Sequence, residues 1–364
     1  MIRTRTQQTK HRGPFPVKTL AGLLVLLLTA SHAICDETSE FTKALNNGTE
    51  TKMILRIVDA DGVPVPDAEV EFGFWNNHSQ GGFKNTFTRS GTNGECVVSG
   101  RCNGSCVWNV AKPGYYSSHA EWSLSDTRAM PKVVGGKWQP YGETKEIVLK
   151  EIIAPVDMPG LEYTLIECPA FDKWLGFDLG CCSWVEPYGN GSHPDVLVRL
   201  HEDGSGDTAF SATMDLCFTN NPHAGAYVLR KDGDSEMKSV YHADANAAYE
   251  SRLAYSLSVD SVGRRNENGL DEDSYLVLRT RTEVDKDGNL VSAHYGKIYG
   301  KWEFYGGMRA EAIFFNPTPN DTNLEDAKTA ERSLQRQRQR ESPPRKKKRW
   351  TFWPFRKEAT GQSP

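Results

Sequence analysis

The stretch of the chain richest in ligand-binding chemistry runs from Tyr295 to Tyr305, where Tyr295, Lys297, Tyr299, Lys301, Glu303 and Tyr305 occupy alternate positions. A period of two places them on one face of a strand, with Ile298, Trp302 and Phe304 on the other. Phenol rings interleaved with ammonium groups offer flat apolar surface beside hydrogen-bond donors, which suits a sugar ring or an extended polymer. Tyr295, Tyr299 and Tyr305 are expected to stack on such a ligand, and Lys297 and Lys301 to hydrogen-bond it or pair with its acidic groups. The same row also suits a stiff cross-strand face or a domain interface.

Carboxylates supply a second possibility. Asp172, Asp178 and Glu186 lie near Trp174 and Trp184, and glycoside hydrolysis needs two acids roughly 5 to 10 Å apart in a pocket. Against an enzyme, the sequence holds no His-Glu-x-x-His helix, Gly-x-Ser-x-Gly elbow, phosphate loop or dinucleotide fingerprint. Asp285-Lys286-Asp287-Gly288-Asn289 begins like a calcium loop, but Gly296 stands where the bidentate acid belongs, so a hairpin turn is the expectation. No metal and no cofactor are expected.

The eight cysteines all follow a segment that reads as an export signal. Basic residues from Arg3 to Lys18 precede an apolar run, Leu20 to Ala30, and then Ser31-His32-Ala33, which places cleavage after Ala33. Ile34 makes a poor lipobox before Cys35, and the apolar run is shorter than the ~20 residues a bilayer core requires. An exported, periplasmic, cell-surface or extracellular location follows, where thiols oxidise. Cys102 and Cys106 flank a tight turn, Asn103-Gly104-Ser105, and could bond across it; Cys181 and Cys182 should reach different partners, with Cys168 and Cys217 available. The connectivity stays open. Asn-x-Ser/Thr sites stand at Asn47, Asn77, Asn103, Asn190 and Asn320.

Charge is unevenly distributed. Residues 1–33 carry five basic and no acidic residues and residues 331–364 carry eleven basic and three acidic, so the formal −4 of the chain leaves −17 on residues 34–330. An acidic body argues against nucleic acid as its partner. The end of the chain combines cations (Arg345, Lys346, Lys347, Lys348, Arg349, Arg356, Lys357) with the rings of Trp350, Phe352, Trp353 and Phe355. That mixture suits an anionic membrane surface, at ~1 kcal/mol per cation, or a solvated tail.

The elements that must position these residues are short strands between turns, a sandwich pattern. A linker is expected over residues 34–51, a first domain over 52–155, a second over 156–320 and a helical or disordered basic tail over 321–364. Val58-Asp59-Ala60-Asp61-Gly62-Val63-Pro64-Val65-Pro66-Asp67-Ala68-Glu69-Val70, then Thr92-Asn93-Gly94-Glu95-Cys96, Lys112-Pro113-Gly114-Tyr115 and Glu146-Ile147-Val148-Leu149-Lys150 follow in order. This set resembles the transthyretin-like, or carboxypeptidase regulatory-like, module over residues 52–155 and implies a β-sandwich there. Gly176-Phe177-Asp178-Leu179, Trp184 to Gly189 and Asn316 to Asp321 are similar to exported bacterial proteins carrying such a module, a likeness that implies no activity.

In the second domain, Val196, Val198 and Leu200 alternate inward, as do Phe210, Ala212, Met214, Leu216 and Phe218, which predicts a hairpin. A second hairpin pairs Tyr275–Val284 with Leu290–Tyr305. Residues Ala243 to Leu253 suit a short helix or a continued strand. Thr322 and Glu325 form a capping-box pattern for a helix to about Gln339, with too few apolar residues to dock firmly. The expected architecture is all-β: a transthyretin-like sandwich followed by a larger antiparallel sandwich or jelly roll. The expected function is non-catalytic binding or display in the cell envelope, with polysaccharide or another envelope component as ligand. A carboxylate-based hydrolase acting on polysaccharide and a structural spacer are the alternatives.

Overall fold

The computed structural model describes residues 40–76, 82–130, 132–205, 209–218 and 223–341. The export signal, Cys35, Asn77 and the basic aromatic segment Arg345–Lys357 lie outside the described residues.

The first sandwich opens with a helix, α1, over residues 40–47. Its strands are β1 (Thr49–Val58), β2 (Glu69–Trp75), β3 (Phe83–Arg89), β4 (Glu95–Cys102), β5 (Ser105–Ala111), β6 (Ser118–Ser123), β7 (Val133–Val134), β8 (Lys137–Trp138) and β9 (Glu143–Val148). One sheet runs β4-β1-β8-β7 with β9 also parallel to β1; the facing sheet runs β3-β2-β5-β6. Strict alternation fills the space between them: Met53, Leu55 and Ile57 from β1 meet Val70, Phe72 and Phe74 from β2 and Trp108 and Val110 from β5, all buried.

The linker expected over residues 34–51 is replaced from residue 40 onward by structure. Phe41, Ala44 and Leu45 have helical spacing, Phe41 packs edge-on against Trp138 at 5.9 Å, and Gly48 at φ +69° ends the helix with its N–H on Ala44 O. Three turns of the chain, one in the first sandwich and two in the second, share one device. Asp59 Oδ1 accepts from the backbones of Asp61 and Val63, Asp260 Oδ1 from Val262 and Arg264, and Asp285 Oδ1 from Asp287 and Asn289. The Asp285 loop therefore spends its oxygens on its own backbone as a hairpin turn.

The second sandwich comprises β10 (Gly160–Glu162), β11 (Ile166–Glu167), β12 (Leu175–Asp178), β13 (Ser183–Trp184), β14 (Val196–Ser205), β15 (Ala209–Phe218), β16 (Gly225–Arg230), β17 (Arg252–Val259), β18 (Arg265–Asn268), β19 (Ser274–Val284), β20 (Leu290–Tyr299), β21 (Gly307–Met308) and β22 (Ala312–Phe315). A six-stranded sheet, β13-β12-β14-β15-β17-β18, faces a five-stranded sheet, β10-β22-β20-β19-β16. Both expected hairpins form: β14 with β15, and β19 with β20. Val196, Val198, Leu200, Ala212, Met214 and Leu216 from the first sheet pack on Leu276, Leu278, Ile298 and Ile313 from the second, each large side chain contributing about 1.5–3 kcal/mol. No helix forms over Ala243–Leu253; β17 begins at Arg252.

The end of the described chain is part of the body, not a detached tail. Val156 N donates to Glu325 O and Ala327 N to Val156 O, both at 2.8 Å, so residues 325–327 pair with the segment joining the two sandwiches. Glu325, 1% exposed, accepts from Tyr116 Oη, Ile153 N and Ala154 N. Helix α2 (Ala327–Glu341) is capped by Asp326, whose Oδ1 accepts from Thr329 N at 2.8 Å, and not by Thr322. It docks through polar groups: Ser333 on Glu236, Gln337 Nε2 on Tyr115 O, and Arg332 on Glu162.

At the centre of this seam Lys297 Nζ lies 3.0 Å from Asp326 Oδ2, with the side chains 0% and 2% exposed. Lys297 also donates to Leu324 O at 2.6 Å and Ser239 Oγ at 3.3 Å. Burial alone would lower the ammonium's pKa, but Tyr299 and Asp326 hold it above the ordinary lysine value. Removing one partner of a buried pair strands the other charge, so Asp326→Ala should cost about 3–5 kcal/mol. The urea midpoint measures this. An unchanged midpoint would show that the seam does not depend on the pair, whereas Lys297→Met with Asp326→Leu should recover most of the loss.

Candidate functional site

The tyrosine row does not form an open platform. Tyr295 and Tyr299 are each 4% exposed and Lys297 is fully buried. Both faces of the five-stranded sheet are covered: the inner by the sandwich core, the outer by Met158, Ala243 and Leu324 packing on Tyr275, Val277, Tyr295, Tyr299 and Phe314. β20 stops at Tyr299, so Lys301 and Tyr305 leave the row. Lys301 reaches Glu267 at 3.3 Å, and Tyr305, 42% exposed, lies against Phe210 at 4.6 Å.

The three acids also separate by role. Asp178, 3% exposed, accepts from the backbones of Gly180, Ser192 and His193 and from Arg281 Nη2 at 2.8–3.0 Å. Arg281 is shared with buried Asp195. Burial disfavours the Asp178 carboxylate, but these donors outweigh it and hold its pKa below the ordinary range. A carboxylate so saturated is a structural clamp. Trp184 is buried with Nε1 on Glu167 O, and Glu186 is exposed on the following loop.

Asp172 and Trp174 do join a site, on the outer face of the six-stranded sheet. Asp172 N donates to Leu200 O at 2.8 Å and fixes their loop to β14. Asp172 Oδ1 meets His201 Nδ1 at 2.6 Å. The Arg199 guanidinium lies 4.7 Å from the centre of the Trp174 ring and donates to Asp215 through Nε and Nη2 at 3.1 and 2.6 Å. Trp174 remains 39% exposed and Phe171 38%.

Register extends this face across the sheet. His201 pairs with Thr213, Thr213 with Ser256 and Ser256 with Asn268; Asp203 pairs with Ser211, Ser211 with Ser258 and Ser258 with Asn266. Residues directly opposite point to the same side, and their neighbours along each strand, Leu200, Ala212, Met214, Tyr255 and Leu257, are buried. Among the described residues the hydroxyls of Ser211, Thr213, Ser256 and Ser258 and the amides of Asn266 and Asn268 make no hydrogen bond. Arg199, His201, Thr213 and Ser256 were missed as site residues, although alternation with the recognised inward positions already assigns them to the outer face.

The cysteines fall into different settings. Cys102 at the end of β4 and Cys106 in β5 meet between the two sheets of the first sandwich as free thiols, with sulfurs 3.8 Å apart and both buried. Cys168 and Cys182 pack on the second core, Cys181 is exposed, and Cys217 pairs with Leu197 and Arg252 on the outer face. Cys217 therefore points away from the core that Cys168 and Cys182 join. Two of the Asn-x-Ser/Thr sites are spent internally: Asn103 Nδ2 donates to Leu45 O and Asn320 Nδ2 to Val291 O.

A cleft of about 790 Å³ between the sandwiches is walled by charge, including His119, Arg230, Asp234 and Asp273. Its cations are internally engaged. Lys231 and Lys238 both hold Glu311, and Arg230 holds Asp271. Burial opposes ionisation of Glu311, but the two ammonium groups prevail and keep its pKa below the ordinary 4.5.

No family model and no curated protein matches the chain. Among solved structures it is similar to 3-chlorocatechol 1,2-dioxygenase from Rhodococcus opacus 1CP, with 13% identity and TM-score 0.24 over 29% of this chain and 62% of that one. Catechol 1,2-dioxygenase from Acinetobacter sp. ADP1 aligns with 16% identity and TM-score 0.22 over 31% and 58%. The shaft pilin of Lactobacillus rhamnosus GG aligns over 76% of this chain and 96% of its own at 9% identity and TM-score 0.21. The chain thus spans under two thirds of either dioxygenase, and likenesses this slight transfer no activity.

A lowered carboxyl pKa stabilises the fold above the unfolded value and loses that contribution as pH falls through the folded one. Stability should therefore be level near neutrality and fall below about pH 4.5. Glu311→Gln should flatten part of that fall in chemical denaturation across pH; an identical slope in the variant would show that Glu311 carries none of it.

Proposed function

We propose that this chain is an exported, non-catalytic binding protein of the cell envelope, whose second sandwich holds a polysaccharide on the outer face of the six-stranded sheet. The observation that carries the reading is the grid of unpaired Ser, Thr and Asn side chains beside the half-open Trp174 ring. A flat hydroxyl-rich surface with one exposed indole matches a polymer of sugar rings, which pairs hydroxyls edgewise and stacks its apolar faces. Binding without chemistry fits the saturation of Asp178 by Arg281 and three backbone donors. The first sandwich serves as a transthyretin-like module, a reading supported by its ordered turns and all-β pairing. The basic aromatic tail supplies attachment to an anionic envelope surface. Sedimentation of the full chain with anionic vesicles, compared with a chain ending at Glu341, tests that attachment; equal sedimentation would remove the tail from the account.

Polysaccharide affinity gels or calorimetry test the main reading. Trp174→Ala should weaken binding by about ten-fold or more, some 1.4 kcal/mol, with the near-ultraviolet dichroism of the fold retained. Equal affinity in the variant would refute the assignment of this face.

Export also places Cys102 and Cys106 among oxidised donors. The hydrogen bond from Cys106 pulls the Cys102 thiol down in pKa, while that bond and burial push Cys106 up, and the two sulfurs lie 3.8 Å apart. Alkylation and peptide mass analysis of secreted protein should find the two joined. Two alkylated thiols at these positions would count against an oxidising destination.

A further inference from the structure

Resting on the binding reading above, we infer that the face selects a neutral, hydroxyl-rich glycan lying across the strands, and that polyanionic glycans are rejected. The basic side chains at its centre are already engaged by carboxylates. Arg199 gives both Nε and Nη2 to Asp215 and stacks on Trp174, and His201 is held by Asp172. Recognition of a sulfate or carboxylate draws its strength from a guanidinium fork free to bond it in two places, and the Nε–Nη2 edge of Arg199 is already taken by Asp215. Asp203 adds an exposed carboxylate whose cross-strand partner is Ser211, not a cation. Around Trp174 and the row the face thus presents three carboxylates beside Arg199 and His201, with the exposed Arg252 beyond Asp215 at the other end of β17; residues 34–330 carry a formal charge of −17, and a polyanion approaching the row meets net repulsion.

What the row leaves free is neutral. Thr213, Ser256 and Asn268 lie in one cross-strand row that starts at His201. A hydroxyl both donates and accepts, as sugar hydroxyls do, so each row position can pair with a ring turned either way. Four strands about 4.8 Å apart make the row about 14 Å long, and the loop carrying Trp174 is tied to β14 at its beginning. A path along a strand instead runs from His201 onto the closed Arg199–Asp215 pair. The open path therefore crosses the sheet, with a sugar ring stacked at Trp174 and the following units over the row.

Affinity electrophoresis of the full chain through gels of mixed-linkage β-glucan, xylan and mannan, against polygalacturonate, alginate and chondroitin sulfate, tests this. At least one neutral polymer should retard the protein, and the acidic ones should not. Tenfold more salt should change the affinity by less than two-fold. Thr213→Val and Ser256→Ala should each weaken it about three- to ten-fold, the range of one hydrogen bond, while Thr88→Val on the first sandwich should not. Salt-sensitive retardation by an acidic polymer that Trp174→Ala abolishes would overturn the neutral selectivity and leave the binding face standing. Retention of a neutral polymer with both row variants unchanged would overturn the cross-strand path. Retardation by none of the six would overturn the binding reading and this inference together.

Discussion

A lysine ammonium with no exposure to water governs the layout of this protein. Lys297 sits mid-strand in the five-stranded sheet and points away from the sandwich core, where a solvent-facing side chain would ordinarily stand. Removing that charge from water is tolerable only with a counter-charge and further acceptors in place. Those come from Asp326, Leu324 and Ser239, from segments that sequence would assign to a loop and a tail. Once they are drawn in, Leu324 and the start of α2 cover the outer face of the sheet, and Glu325 ties the cover to the first sandwich through Tyr116, Ile153 and Ala154. Two sandwiches and the end of the described chain thereby share one seam.

Closing that face decides which sheet of the second sandwich stays open. Of the two sheets in the second sandwich, the five-stranded one is buried on both sides, while the six-stranded one keeps alternating buried and open positions along β14, β15 and β17. An antiparallel sheet covered on one side reads as clean alternation, and one covered on both sides does not. Tyr295 and Tyr299 are thus packing residues of the covered side, and their spacing carried no information about exposure. The Tyr275–Tyr299 contact at 5.7 Å is interior aromatic packing.

The contrast explains what could be read from sequence. Both hairpins were legible because their turns and their period-two pattern are local. Val196 to Leu200 and Ala212 to Phe218 are buried as alternation requires. Phe210 is only partly buried, because it stands near the hairpin's end against Tyr305. The covered sheet was not legible, because Lys297 and its acceptors are 29 and 27 residues apart along the chain and a charged residue in an alternating strand ordinarily signals water. Helix α1 was overlooked for a different reason: two turns with three apolar residues carry little periodic signal. The cap of α2 was misplaced because Thr322 and Glu325 have the right types and spacing, yet Glu325 is consumed by the linker's N–H groups and Asp326 takes the capping role.

The candidate face was half legible by the same physics. Asp172 and Trp174 attract notice by type, but their partners Arg199 and His201 come to them only through the pairing of the loop with β14. Their chemistry then depends on how the acids divide. Asp178 and Asp195 share Arg281 inside the fold, whereas Asp172 holds His201 and Asp215 holds Arg199 at the surface. Two-carboxylate hydrolysis needs one acid kept protonated by an apolar setting and a second left ionised. Asp178 has the burial such an acid would need but is pulled to the ionised form, and Asp172, with its side chain 67% exposed, lacks the burial. The acids of this sandwich accordingly position side chains and neutralise the cations beside them.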